Sequence, residues 1–253
     1  MIKIRLEGMD KTLANLRGIE KQVRFAEMVA INRAAFAARA EVQREIGRVF
    51  DRATPWVKGG VRVRKADKND PTAYVDLDFW GNKQGVSVEK ILDAEIKGGQ
   101  RRHKRHEMAL QRAGILPAGM YIAPGDAAVL DQYGNMSSGQ IVQIISWFKG
   151  FGEQGYQANM SDKRRRSLGR DKKSGAKGFA YFALRKQHGK LPPGIYQRIQ
   201  FGSGSAVRPV MIFVRKAGYK PRLDFYRVAD KAARSEFAVQ FPIAFNQAMA
   251  TAR

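Results

Sequence analysis

The chain has 253 residues, with 46 Lys and Arg against 23 Asp and Glu, a formal charge of +23, and no cysteine. The missing cysteines exclude disulfides, thiolate nucleophiles and cysteine-based metal sites. A hydrophobic content of 44% with 10% aromatics excludes wholesale disorder, and the charge excess calls for an anionic partner: nucleic acid, acidic lipid or an acidic protein surface.

The first residues alternate. Ile2, Ile4 and Leu6 face one way and Lys3, Arg5 and Glu7 the other, which predicts a strand with one wet face and no secretory signal. Asp10 is a helix cap, and 3-and-4 spacing through Leu16, Ile19, Val23, Ala26 and Ala30, then Val42, Ile46 and Val49, predicts a long helix over about 10–50. Gly18 marks a break or kink in it. Alanines crowd its middle, at 26, 30, 34, 35, 37, 38 and 40. Small side chains let another backbone approach, so Ala30, Ala34, Ala37 and Ala38 are candidates for packing between subunits. The plainer account is high helix propensity on a partly exposed helix.

Thr54-Pro55 opens a β region, with paired strands at 57–65 and 72–79 joined by the turn-rich 67–71. Helices follow at 88–96 and near 101–113, then a short strand within 116–123 and a helix at 139–148 capped by Ser138. The longest apolar segment, 141–148, is far below the roughly 20 residues that span a bilayer, so the expectation is a soluble protein without a membrane partner. Residues 150–177 are poor in aliphatics and rich in Gly, Ser, Lys and Arg, the pattern of a basic, mobile insertion. A strand at 179–185 pairs with one at 195–199 across Pro192-Pro193-Gly194, and 210–214 is another short β run after a glycine loop. Asp224 caps a final helix, which Pro242 is expected to kink or split. The fold class is α+β: antiparallel β-sheet regions packed with a long N-terminal helix and a C-terminal helix.

Two basic clusters stand out. One holds Lys97, Arg101, Arg102, Lys104, Arg105 and Arg112, with His103 and His106 among them; the other holds Lys163, Arg164, Arg165, Arg166, Arg170, Lys172, Lys173 and Lys177, relieved by Asp171. Like charges at this density keep a free segment extended and turn attractive opposite phosphates or carboxylates. The second cluster is read as partner contact. For the first, partner contact and a merely charged helix face both stay open. No aromatic is interleaved with 163–177 to stack bases, and no nucleic-acid-fold signature appears, so any DNA contact is with phosphate. The two histidines three apart lack further ligands for zinc, and no nucleophile-base order, phosphate loop or carboxylate pair marks an enzyme. No catalytic residue, metal or cofactor is expected. Trp56, Trp80 and Trp147, with Phe151 and Tyr156, suit either a core or an interface.

The segments PPGIYQRI, PVMIFV and YKPRLDFYRVA, between Leu191 and Ala229, resemble the prophage minor tail protein Z family, the tail-completion proteins of lambda-like long-tailed phages. The resemblance implies one tail-completion domain over 1–253. It implies a structural virion protein at the head-proximal end of the tail, or neck, assembled in the host bacterial cytoplasm. Such a protein serves tail maturation, head-tail joining and positioning of the DNA end. Its implied partners are the tail terminator, tape measure and head-tail connector, the genomic DNA end through phosphates, and further copies in a ring, six favoured. The rival reading is a basic, non-sequence-specific nucleic-acid-binding protein unconnected with virions.

Overall fold

The computed structural model describes residues 2–4, 20–78, 86–152, 159–171, 175, 177–201, 204–215 and 218–250. In chain order the elements are β1 (Ile2–Ile4), α1 (Glu20–Val49), α2 (Pro55–Gly59), β2 (Val61–Arg64), β3 (Ala73–Leu77), α3 (Val88–Lys97), β4 (Gly99–Gln100), α4 (Arg105–Arg112), β5 (Tyr121–Pro124), α5 (Ser138–Trp147), α6 (Asp162–Leu168), β6 (Phe179–Leu184), β7 (Gly194–Phe201), β8 (Gly204–Val214), β9 (Gly218–Tyr219) and α7 (Phe225–Ala250). This is an α+β fold with antiparallel sheets and long helices toward each end. The chain divides into two compact units, residues 1–99 with 219–253, and residues 100–218. The second is an insertion in the first. Of the 46 basic and 23 acidic residues, the inserted unit holds 21 and 6, so the positive charge is concentrated there.

In the first unit α1 and α7 lie against the sheet β1-β3-β2. Ile31, Ala35, Ala38, Val42 and Ile46 of α1 form one buried cluster with Val61, Ala73, Val75, Leu77, Leu92, Leu223, Phe225, Ala229 and Ala233. Val61 pairs with Leu77 and Val63 with Val75, which keeps these apolar side chains on one face. The helix pair is antiparallel: Ala26 near the start of α1 clusters with Ala244 and Ala248 near the end of α7. Residues 10–19 of the expected helix lie outside the described residues.

Two expectations for this unit need correction. The strand predicted over 57–65 begins with a helical turn. Thr54 Oγ1 accepts a hydrogen bond from the Val57 N–H at 3.3 Å and Pro55 occupies the first turn, the signature of a helix start, so only Val61–Arg64 is strand. The final helix is not split at Pro242: α7 runs through it to Ala250. Pro242 is on the solvent side, where the carbonyl left without its helical donor can be hydrated.

The inserted unit is a four-stranded antiparallel sheet ordered β5-β8-β7-β6. Ala109 and Leu110 of α4 and Ile144 and Ile145 of α5 share its core with Tyr181, Ile195, Met211 and Phe213 of the sheet. The expected pairing of 179–185 with 195–199 is present, from Phe179 opposite Ile199 to Ala183 opposite Ile195. The apolar run 210–214 is the end of a longer strand, β8, which starts at Gly204. The helix expected near 101–113 begins only at Arg105, so His103 precedes it and the two histidines do not share a helical face. The extended, basic 163–177 is also different. Ser161 accepts from the Arg164 N–H, Asp162 occupies the first turn and Leu168 is buried, so 162–168 is helix.

Candidate functional site

The first basic cluster is organised around a carboxylate. Glu107 follows Lys104 by three residues, the position from which a helix-initial Glu reaches back to the cap backbone. Its Oε2 accepts from the Lys104 N–H at 2.6 Å and from Arg101 Nη1 at 2.8 Å. Its Oε1 accepts from Arg101 Nη2 at 2.6 Å and from the Ile122 N–H at 2.7 Å. Glu107 has no exposed surface. Burial alone would raise its pKa, but the Arg101 guanidinium and the two backbone donors outweigh it and hold the carboxyl at about 2. Arg101 stacks over Tyr121 at 4.8 Å, and His103 lies parallel to the same ring at 4.3 Å. Burial, then the charge of Lys104, pushes His106 down to about 4.

Arg101 is therefore occupied inside the unit, pinning the segment before α4 to β5. Arg102, Lys104 and Arg105 are exposed. Arg112 is exposed as well, so four cations of this cluster remain for a partner, while Lys97 pairs with Asp93 at 2.7 Å.

Four residues of the second cluster, Lys163, Arg164, Arg165 and Arg166, sit on α6. Lys163, Arg164, Arg166 and Arg170 are exposed, whereas Arg165 is half-buried. Its guanidinium lies 5.5 Å from the Trp147 ring and donates to the Trp147 carbonyl, at the C-terminal end of α5 where a cation complements the helix dipole. Arg165 thus fastens α6, and its neighbours project outward. The C-terminal end of α6 is fixed by a close backbone approach: a Cβ on Gly178 would lie 2.3 Å from the Gly169 carbonyl carbon and oxygen. Lys177 pairs with Asp171 at 2.6 Å, and Asp171 also accepts from the Gly178 N–H at 3.0 Å. Lys172 and Lys173 lie outside the described residues.

Ala30, Ala34 and Ala38 are fully buried within the first unit, and Ala37 is half-buried. The close approach their size allows is used inside the chain. Trp56 is 41% exposed and Trp147 is taken up by the Arg165 contact; Trp80 and Tyr156 lie outside the described residues.

Among the described residues, no group of three or more His, Asp or Glu is placed to hold a metal ion. No helix there is long and apolar enough to cross a membrane. Sequence reasoning missed the Glu107 hub. Its signal was a single Glu at the third helical position inside a run of cations.

No curated protein and no solved structure matches the chain. One family model does, that of the prophage minor tail protein Z, over residues 6–126, just under half of the chain. The match spans α1 to β5 and includes the Arg101–Glu107 pair. It lies outside the 191–229 segment that carries the resemblance read from the sequence. Over residues 6–126 the chain matches the prophage minor tail protein Z family, a structural component of the phage tail.

Proposed function

We propose that this chain is a tail-completion protein acting at the head-proximal end of a phage tail, a structural role without catalysis. The observation that carries the reading is the family match over residues 6–126. In this role the first unit is a rigid body of two helices on a sheet, suited to assembly. Copies join in a ring, six favoured, against the tail terminator, tape measure and head-tail connector. The protein works in the virion after assembly in the host cytoplasm. The inserted unit supplies the anion contact. Its outward cations Lys163, Arg164, Arg166, Arg170, Arg102, Lys104 and Arg105 take phosphates of the DNA end or carboxylates of a neighbour. Many tight phosphate contacts would hinder sliding DNA, so this surface holds the DNA end at rest or faces acidic neighbours in preference to lining a uniformly basic channel.

The test is removal of the gene from a phage that carries it. The expected result is separate filled heads and tails in micrographs, with joining restored by the protein supplied in trans. Normally joined, infectious particles without it would overturn the reading.

The charge distribution also favours a second reading, general nucleic-acid binding outside the virion, because 21 basic residues face only 6 acidic ones in the inserted unit. Steep salt-dependent DNA binding by a protein absent from purified particles would select it.

A further inference from the structure

We infer that the ribbon formed by β7 and β8 enters the minor groove of duplex DNA, with Phe201 as a wedge at a base step and Arg198 and Arg208 on the phosphates of the groove walls. The inference deepens the anion contact proposed above and rests on it. The ribbon outruns its sheet. Pairing of β6 with β7 ends at Phe179 opposite Ile199, and pairing of β5 with β8 ends at Pro124 opposite Met211. The Ala127 N–H still reaches the Pro209 carbonyl, at 2.8 Å. Beyond these points, among the described residues, each strand has only the other as partner, through Gln200 opposite Ser205 to Phe201 opposite Gly204. The projecting part carries a large apolar side chain that joins no core cluster, since Phe201 is 47% exposed. Arg208 pairs with Gln197 and so shares the face of Phe201, while Arg198 lies on the other face; both arginines are exposed. The Phe182 ring, 4.9 Å from the Arg198 guanidinium, holds that side chain in place.

Charge selects an anionic occupant. Residues 172–218 of the inserted unit, which contain β6, β7 and β8, hold ten Lys and Arg and no Asp or Glu. The C-terminal end of α6 stands at the end of the sheet from which the ribbon projects, because Gly178, just before β6, abuts Gly169 and Arg170. The cations of α6 and the ribbon thus serve one partner. Phe201 and the shape of the ribbon favour DNA over an acidic protein surface. An exposed phenyl ring adds little toward carboxylates, but inserted from the minor groove it unstacks a base step and kinks the duplex. Gly204 and Ser205, opposite Phe201 and Gln200, are small enough for a groove about 6 Å wide. At about 3.3 Å per residue, Arg198 and Arg208 stand about 10 and 13 Å back from Phe201. That exceeds the groove depth of about 7.5 Å and brings both guanidinium groups to the level of the phosphates. Lying on opposite faces, they reach opposite walls. The aromatic contact to bases that residues 163–177 lack is supplied from a different element.

The experiment uses the full chain and a short duplex carrying 2-aminopurine at several positions, whose fluorescence rises when the base is unstacked. Wild type is expected to bind with steep salt dependence and to raise the signal. Netropsin, which fills the minor groove, is expected to suppress that rise. Phe201→Ala is expected to abolish the rise while leaving the slope of log affinity against log salt unchanged, since a phenyl ring neutralises no phosphate. Phe201→Trp is expected to restore it. The Arg198→Ala/Arg208→Ala double variant is expected to make the slope shallower by about 1.8, that is about 0.9 for each phosphate released. All three sites are exposed, and unchanged far-UV circular dichroism verifies folding. The netropsin competition on wild type needs no variant and keeps the test decisive should a substitution disturb the ribbon. Duplex binding without a rise in fluorescence, or a rise that persists in Phe201→Ala, overturns the inference and leaves the phosphate contact of α6 standing. A wild type that binds no duplex overturns it too, and assigns the cations to carboxylates of a neighbour. The tail-completion reading fails separately, by normal joining in the absence of the gene.

Discussion

The guanidinium of Arg101 donates two hydrogen bonds to the carboxylate of Glu107, at 2.8 and 2.6 Å, and the Glu107 side chain has no exposed surface. A charge from the most basic part of the chain is thereby committed to holding the segment before α4 against β5. Two backbone N–H groups complete the carboxylate's partners, so the buried charge is fully satisfied.

Glu107→Ala should leave the half-buried Arg101 and two backbone donors without partners, which costs about 3–5 kcal/mol for a broken buried pair. Glu107→Gln keeps the shape and should cost less. Urea unfolding of the full chain checks both, and the loss should appear as faster hydrogen exchange in 101–124.

Acid should weaken the inserted unit in two stages. His106 has a folded pKa of about 4, below its ordinary value of 6.5, so its stabilising contribution is complete above pH 6.5 and is lost as pH falls to 4. Glu107 falls from 4.5 to about 2, so its contribution is present above pH 4.5 and is lost toward pH 2. Thermal melts from pH 7.5 to 2.5 should decline over both ranges, with His106→Asn flattening the upper and Glu107→Gln the lower.

Arg165→Ala should loosen α6 without unfolding the unit. It removes the Trp147 stacking and the hydrogen bond to the end of α5, together about 1–2 kcal/mol. Arg165→Lys should rescue only part, because an ammonium cannot stack as the planar guanidinium does. Exchange rates at 162–168 report the change, and Gly178→Ala should loosen the same helix from its other end.

Neutralising Lys163, Arg164 and Arg166 together should leave stability within about 0.5 kcal/mol per site, since all three are exposed. If they bind phosphate, the slope of log affinity for duplex DNA against log salt should become shallower by about 0.9 for each phosphate no longer neutralised. An unchanged slope would place DNA binding elsewhere on the protein.

Much of the fold was legible in the sequence because its signals are local. The 3-and-4 spacing in α1 records which face is buried, and the structure pairs Phe179–Leu184 with the strand through 195–199 as expected. Local signals also misled where two compete. Thr54-Pro55 serves equally as the edge of a β region or the start of a helix, and the cap geometry chose the helix. In 163–177 charge repulsion suggested an extended chain, but Ser161 and a buried Leu168 supply the cap and anchor that close a helical turn.

The sequence by itself determined the strong positive charge, the absence of thiol chemistry and the α+β class, because composition and short-range periodicity need no partner to be read. Only the tertiary structure decided which cations are free to act. Arg101 and Arg102 are neighbours in the chain, yet one is held by Glu107 and the other faces solvent. Arg165 and Arg166 divide in the same way over Trp147. The physical reason is that a charge is consumed or presented according to what lies within a few ångströms of it in space. Ile122 and Trp147 reach these sites from elsewhere in the chain.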